Sequence, residues 1–289
     1  MPTIFTKITG PADTPRFECG LARRPGNFPP TGTRWFPLLV LPTLALLSGP
    51  YLPAWGFMWT MASAIFFGCK WLTLRTAQLH SPDIHPLRAV AYFFGWPGMD
   101  VARFLFHRTN SRVEKSVLVR SAACAATNIS LGALLLYAVA RQVPEPLLAG
   151  WTGMIGLILL LHFGFFHLVS IVWRGLRVEA PPIMDAPLRS TSVSEFWNRR
   201  WNGAFNQLAH QFAFRPFARR FGVPLATMGA FGVSGIVHEL VISLPANAGY
   251  ALPTSYFLVQ GLALLAERTP SGNRLRLGRL RRGRRCNGR

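Results

Sequence analysis

Acidic residues are scarce in this 289-residue chain, with 11 Asp and Glu against 31 Lys and Arg, and charged residues of both signs make up only 15%. An ordinary soluble domain carries about 25% charged residues, so so little charge argues against that class. Cysteine is equally sparse. Cys19, Cys69, Cys124 and Cys286 are scattered without CxxC pairing, which excludes both a disulfide framework and a zinc site read from spacing. Neither a Walker A sequence nor G-x-G-x-x-G occurs, so neither an ATPase nor a dinucleotide enzyme is indicated. The run His238 to Ile242 lacks the second His of H-E-x-x-H, and Gly232 to Gly235 is not a G-x-S-x-G elbow. Residues 1–34 are polar and rich in Pro and Gly, without the apolar stretch of a cleavable signal peptide.

What the chain has instead is apolar length. Half of its residues are hydrophobic, 12% are aromatic and the mean hydropathy is +0.26. This composition points to an all-α polytopic membrane bundle. The net charge of +20 sits in blocks between apolar runs rather than along solvated helices, a topological pattern and not that of a nucleic-acid binder. Six spans are expected, at about 35–52, 53–72, 117–139, 147–172, 221–243 and 255–266. The second is expected to end at Lys70 and Arg75, and Ala89 to Trp96, too short to cross, reads as a re-entrant or interfacial piece. The basic residues outside the spans fall in segments 1–34, 73–116, 173–220 and 268–289, whereas the turns at 48–53, 141–146 and 244–254 hold only Arg141. Positive-inside orientation then places both termini in the cytoplasm, of a bacterial inner membrane or the endoplasmic reticulum. The expected organisation is a basic arm at 1–34, a membrane domain at 35–267 and an arginine-rich tail at 268–289 with nine arginines and no acid.

Within the fifth apolar run stand His238 and Glu239. An ionisable group at membrane depth costs about 2.5 to 3.5 kcal/mol on insertion scales, so its default role is functional, facing protein or a water-filled cavity. Histidine is the side chain best suited to move a proton near neutral pH. A packing histidine is the bland alternative for any one such residue. His162 and His167, on the fourth span, lie roughly 140° apart on a regular helix and cannot share a metal from one face; both read as packing or lumen-lining groups.

Upstream, Ser192 and Glu195 have the S-x-x-E spacing of a capping box and begin a helix. Trp197, Trp201, Ala204, Phe205, Leu208 and Phe212 recur at helical spacing as one apolar face, which predicts a single amphipathic helix lying in the membrane surface.

The run FWNRRWN from Phe196 to Asn202, followed some 36 residues later by Ser234, Gly235, His238 and Glu239 in a span, resembles the membrane-bound O-acyltransferase family, and within it the wax-synthase-like members. The likeness covers roughly 173–267, and WPGMD from Trp96 to Asp100 is similar to bacterial members too. The resemblance implies transfer of a fatty acyl group from acyl-CoA, as co-substrate and without a further cofactor, to the hydroxyl of a long-chain alcohol. His238 would be the catalytic base and Asn202 its partner at the reacting carbonyl. Trp197, Trp201, Asn198, Arg199, Arg200 and Glu239 form the expected substrate-binding set, with Arg215, Arg219 and Arg220 further candidates for the coenzyme A phosphates. The partners implied are membrane lipid, acyl-CoA and a hydroxyl-bearing lipid, with no nucleic acid. Alternative acceptors are diacylglycerol, a sterol or a polysaccharide; the alternative class is a transporter using His238 and Glu239 as a proton relay. Family members continue past the position of Glu267 into another span, where this chain has its arginine-rich tail. No His is followed by an Asp four or five residues on, unlike acyltransferases built on H-x4-D.

Overall fold

A computed structural model describes residues 33–79, 81, 83–107 and 113–269. The expected N-terminal arm up to residue 32 and the arginine-rich tail from residue 270 lie outside the described residues. Among those described, the chain is mostly helical and contains no strand.

Helix α1 (Phe36–Ser48) runs through a 3-10 turn at Gly49–Tyr51 into α2 (Ala54–Gln78). Two short helices follow, α3 (Pro86–Gly95) and α4 (Val101–Phe106). Then come α5 (Lys115–Gln142) and α6 (Pro146–Gly175), each interrupted by a π turn, at Leu135–Val139 and Leu159–Phe165. A loop of 27 residues leads to α7 (Gly203–Ala209), a π turn at His210–Phe214, α8 (Arg215–His238), a further π turn at Glu239–Ser243, and α9 (Leu252–Glu267).

Among the described residues, four helical stretches are long and apolar enough to cross a membrane: Ala54–Gln78, Lys115–Gln142, Pro146–Gly175 and the consecutive segments of Gly203–Ala246. The expected first and sixth spans correspond to the shorter apolar helices at Phe36–Tyr51 and Leu252–Glu267. The outer surfaces fit lipid. Leu131, Leu134, Leu147, Trp151, Ile155, Val172, Val233, Ile236 and Val259 are all exposed, an apolar exterior that water would not tolerate over so many turns. The hydroxyls within these helices turn back on their own backbone. Thr60 donates to Gly56 O (2.9 Å), Thr127 to Ala123 O (3.0 Å), Thr152 to Leu148 O (2.7 Å), Thr227 to Val223 O (2.9 Å) and Ser234 to Ala230 O (3.1 Å). Each satisfies its donor without help from solvent, as a helix in hydrocarbon requires. The protein is an integral membrane protein.

Two buried clusters hold the elements around the motifs. One joins Ala45 of α1 and Phe57, Met61, Ile65 and Cys69 of α2 to Met99, Ile183 and Ala204, with Val237, Leu240 and Val241 packed against it. The other gathers Leu74, Tyr92, Trp96, Val101, Phe104, Leu105 and Ala180. The stretch 96–100 therefore touches both clusters, Met99 in the first and Trp96 in the second. The second predicted span differs in its end: α2 continues to Gln78, and Lys70 is fully buried inside it rather than marking a membrane boundary.

Candidate active site

The stretch predicted as one amphipathic helix is broken. Ser192 does cap the first turn, its Oγ accepting from Glu195 N at 2.9 Å. The Glu195 carboxylate reaches back one residue further than a capping box would, taking Thr191 N (2.9 Å) and Thr191 Oγ1 (2.7 Å) on Oε2. Its Oε1 binds Arg200, with both Nε and a terminal nitrogen at 2.7 Å. The Thr191 amide, then its hydroxyl and the Arg200 guanidinium, pull the Glu195 carboxyl down to about 2. Phe196–Arg200 form a π turn, and the helix stops at Trp201. Asn202 then adopts a left-handed conformation (φ 44°, ψ 62°), which Asn tolerates better than other non-glycine residues, and its Oδ1 accepts from Phe205 N at 3.4 Å to start α7. Periodicity continued smoothly through the site of the break; only the Asn-Gly pair at 202–203 signalled it.

The aromatic residues of the motif stack on one another. The Phe196 and Trp201 rings lie 5.3 Å apart and nearly parallel, and Trp197 meets both edge-on. Asn206 Nδ2 donates to Trp197 O (2.6 Å), tying α7 back to the turn. Asn198 donates to Ser194 Oγ (3.0 Å) at the surface, and Arg199 is exposed. Arg200 is occupied by Glu195 and by Asp185, whose backbone oxygen it reaches at 3.1 Å.

His238 ends α8, where Nδ1 lies 2.7 Å from Ser234 O. A carbonyl oxygen can only accept, so the ring proton is on Nδ1 and Nε2 keeps its lone pair free. The ring lies 4.5 Å from that of Phe257 in α9. Phe257 also meets Trp197 (5.7 Å), and Trp197 packs edge-on against Phe231 of α8 (5.5 Å). His238 and the aromatic motif thus share one wall, and they do so through α9. That helix is fastened at three points. Glu239 Oε1 accepts from Thr254 N (3.1 Å) and Thr254 Oγ1 (2.9 Å) at its first turn. Gln260 Oε1 accepts from Trp197 Nε1 (3.2 Å), and Glu267 Oε2 accepts from Ser194 N (2.8 Å). The approach of α8 to α9 depends on Gly235, where a Cβ would lie 2.7 Å from Thr254 Cα. Asn202 and His238 are linked through these rings and not, among the described residues, by a direct hydrogen bond.

Phe257, Gln260 and Glu267 were not singled out from the sequence. Gln260 carried a signal, since it is a polar side chain inside a short apolar helix. His162 and His167 sit elsewhere, in and just after the π turn of α6. His162 Nδ1 and His167 Nε2 are buried without a hydrogen-bond partner among the described residues.

Residues 180–259, which contain both Asn202 and His238, match the model of the membrane bound O-acyl transferase family. Over that segment the chain is similar to this family. Among curated relatives the chain is similar to acyl-CoA–sterol O-acyltransferase 1 of Arabidopsis thaliana, 35% identical over 71 residues, 22% of this chain and 21% of that protein. It is similar to probable long-chain-alcohol O-fatty-acyltransferase 3 of the same plant, 28% identical over 137 residues, 44% of this chain and 40% of the relative. The long-chain-alcohol O-fatty-acyltransferase of Simmondsia chinensis is 28% identical over 101 residues, 32% of this chain and 29% of its own length. The match thus spans less than half of each relative. The likeness expected from the two motifs is thus found over the segment that holds both the aromatic turn and His238.

Proposed function

We propose that the protein transfers a fatty acyl group from acyl-CoA to the hydroxyl of a long-chain alcohol. The observation that carries this reading is the free Nε2 of His238, beside an aromatic wall shared with Trp197, in the segment that matches the family. Nε2 takes the proton of the acceptor hydroxyl as its oxygen attacks the thioester carbonyl. The tetrahedral intermediate collapses with cleavage of the C–S bond, and the imidazolium returns the proton to the departing thiolate, giving ester and free coenzyme A. Asn202, whose Oδ1 is held by Phe205, keeps its Nδ2 protons for the carbonyl oxygen, on which negative charge develops. Trp197 and Trp201 line the acyl path. Arg199, Arg215, Arg219 and Arg220 are exposed and suited to the coenzyme A phosphates, while Arg200 and Asn198 shape the turn. Glu239 contributes by fixing α9 under His238, a use that opposes the proton-relay alternative because one carboxylate oxygen is already committed to Thr254. Both termini are placed on the cytoplasmic side with the coenzyme A site.

A sterol hydroxyl is the second reading, supported by the likeness to the plant sterol acyltransferase. Membranes carrying the chain, given labelled palmitoyl-CoA with hexadecanol, a sterol or diacylglycerol in turn, should form wax ester fastest. Preferred formation of sterol ester would move the assignment to the second reading, and no consumption of acyl-CoA beyond that of control membranes would overturn both.

A further inference from the structure

Lys70 is buried completely in α2, on a helix of mainly apolar residues, and no acid pairs with it among the described residues. Its Nζ donates to Tyr92 O (3.0 Å) and Gly98 O (2.5 Å) and lies 3.6 Å from the centre of the Tyr92 ring. Two carbonyls and a π face thus surround its N–H groups. Tyr92 is held in turn, its hydroxyl 2.9 Å from Thr73 Oγ1 one helical turn along from Lys70. Burying so polar a head is costly unless its donors are used, and the groups that use them are Tyr92 of α3 and Gly98 of the segment between α3 and α4.

That segment, Trp96 to Asp100, is the WPGMD sequence. It contacts the motif-bearing part of the chain at two places. Met99 is buried with Ile183 and Ala204, and Asp100 Oδ2 accepts from Gln207 Nε2 of α7 at 3.2 Å. A third tie, Trp173 Nε1 to Gly95 O (2.8 Å), comes from α6. Asp100 also caps α4 through Arg103 N, and Arg103 bridges to Glu179. α7 is the short helix that Asn202 starts.

We propose that Lys70 is a positioning residue for acyl transfer. It sets the backbone of residues 92–98, and through Met99 and the Asp100–Gln207 bond this segment sets α7 and Asn202. The inference rests on the acyl-transfer reading, and its test separates the two. In the full chain, with Cys19, Cys69, Cys124 and Cys286 replaced by Ala, Asp100→Cys with Gln207→Cys puts a thiol in place of each member of the hydrogen bond, and a short bifunctional thiol reagent should join the two while Lys70, through the Met99 contact, holds the segment. Lys70→Met should abolish that cross-link. In the otherwise native chain Lys70→Met should lower kcat roughly 10²-fold, the effect of a misplacement of about 1 Å, with KM for acyl-CoA unchanged. Gln207→Leu, which cuts the last link and leaves the buried lysine alone, should lower kcat in the same direction with KM unchanged, and it stands in should Lys70→Met fail to insert. A cross-link that persists in Lys70→Met, a kcat retained by that variant, or a Gln207→Leu effect confined to KM overturns the proposal. An unsubstituted chain that transfers no acyl group refutes the acyl-transfer reading instead, and the cross-link still decides whether Lys70 sets the segment.

Discussion

Of the histidines beside π turns, His238 and His162 differ most plainly in their surroundings. His238 precedes the turn at Glu239–Ser243, has one ring nitrogen bonded to Ser234 O, and faces a helix fastened to the aromatic motif. His162 lies inside the turn at Leu159–Phe165 against Phe166, and its Nδ1 and the Nε2 of His167 meet no partner among the described residues. An unsupported imidazole has no fixed tautomer, whereas one hydrogen-bonded to a carbonyl does. Depth in the membrane and helical irregularity are common to both places. What separates a candidate base from a packing residue is the partner that orients the ring.

Substitutions can break this comparison. His238→Ala has the largest expected effect, a loss of transfer of about 10²- to 10⁴-fold at unchanged membrane insertion, measured as ester formed per unit of inserted protein. Asn202→Ala should also impair turnover. If both residues act on one transition state, the double variant should lose far less than the product of the single losses. Next comes Gly235→Val, which forces α8 from α9 at the point of 2.7 Å approach. It should reduce turnover by roughly 10²-fold while the His238 side chain remains. Glu239→Ala removes the acceptor of both Thr254 bonds at the start of α9 and should lower turnover less than Gly235→Val, whereas Glu239→Gln keeps an acceptor oxygen and should retain most of the turnover. A proton relay predicts the opposite, with the two Glu239 variants equally inactive.

Outside the membrane, a pH experiment sharpens the same picture. Glu195 is held well below its ordinary value of 4.5, at about 2, so its contribution is present above 4.5 and is lost as pH falls through the folded value. Hydrogen exchange at residues 191–200 should stay slow down to about pH 4.5 and quicken between there and about 2; Glu195→Gln should show no such transition. Smallest of all should be the effects of His162→Ala and His167→Ala. Turnover close to that of the unsubstituted chain is expected, and abolition of activity by either, with His238→Ala near normal, would reverse the comparison.

Much of the architecture was legible as hydropathy and charge. Long apolar runs between basic blocks set the places of α2, α5, α6 and residues 221–243 of the Gly203–Ala246 stretch, because a bilayer imposes length and composition directly on a helix. The cap at Ser192 was legible for an equally local reason: one hydroxyl and one amide, three residues apart. The break at Asn202 was not, since an apolar stripe at helical spacing records which face is greasy and not whether the backbone is continuous through it. Lys70 misled for a similar reason. A lysine near the end of an apolar run reads as a boundary, and only the carbonyls of Tyr92 and Gly98, brought from 22 and 28 residues away, make its burial tolerable. The part played by Phe257 was hidden too, for an aromatic ring among apolar neighbours carries no mark of which histidine it will meet.

The fastening of α9 has a consequence for biosynthesis. The bond from Ser194 to Glu267 spans 73 residues of chain, and Phe257 and Gln260 reach back to Trp197 over comparable distances. Helices enter the bilayer in the order they are made, so the aromatic turn and His238 are both in place before the helix that joins them has left the ribosome. The ribosome must therefore deliver two halves of a site that wait, apart and incomplete, for the last described helix to arrive and close it.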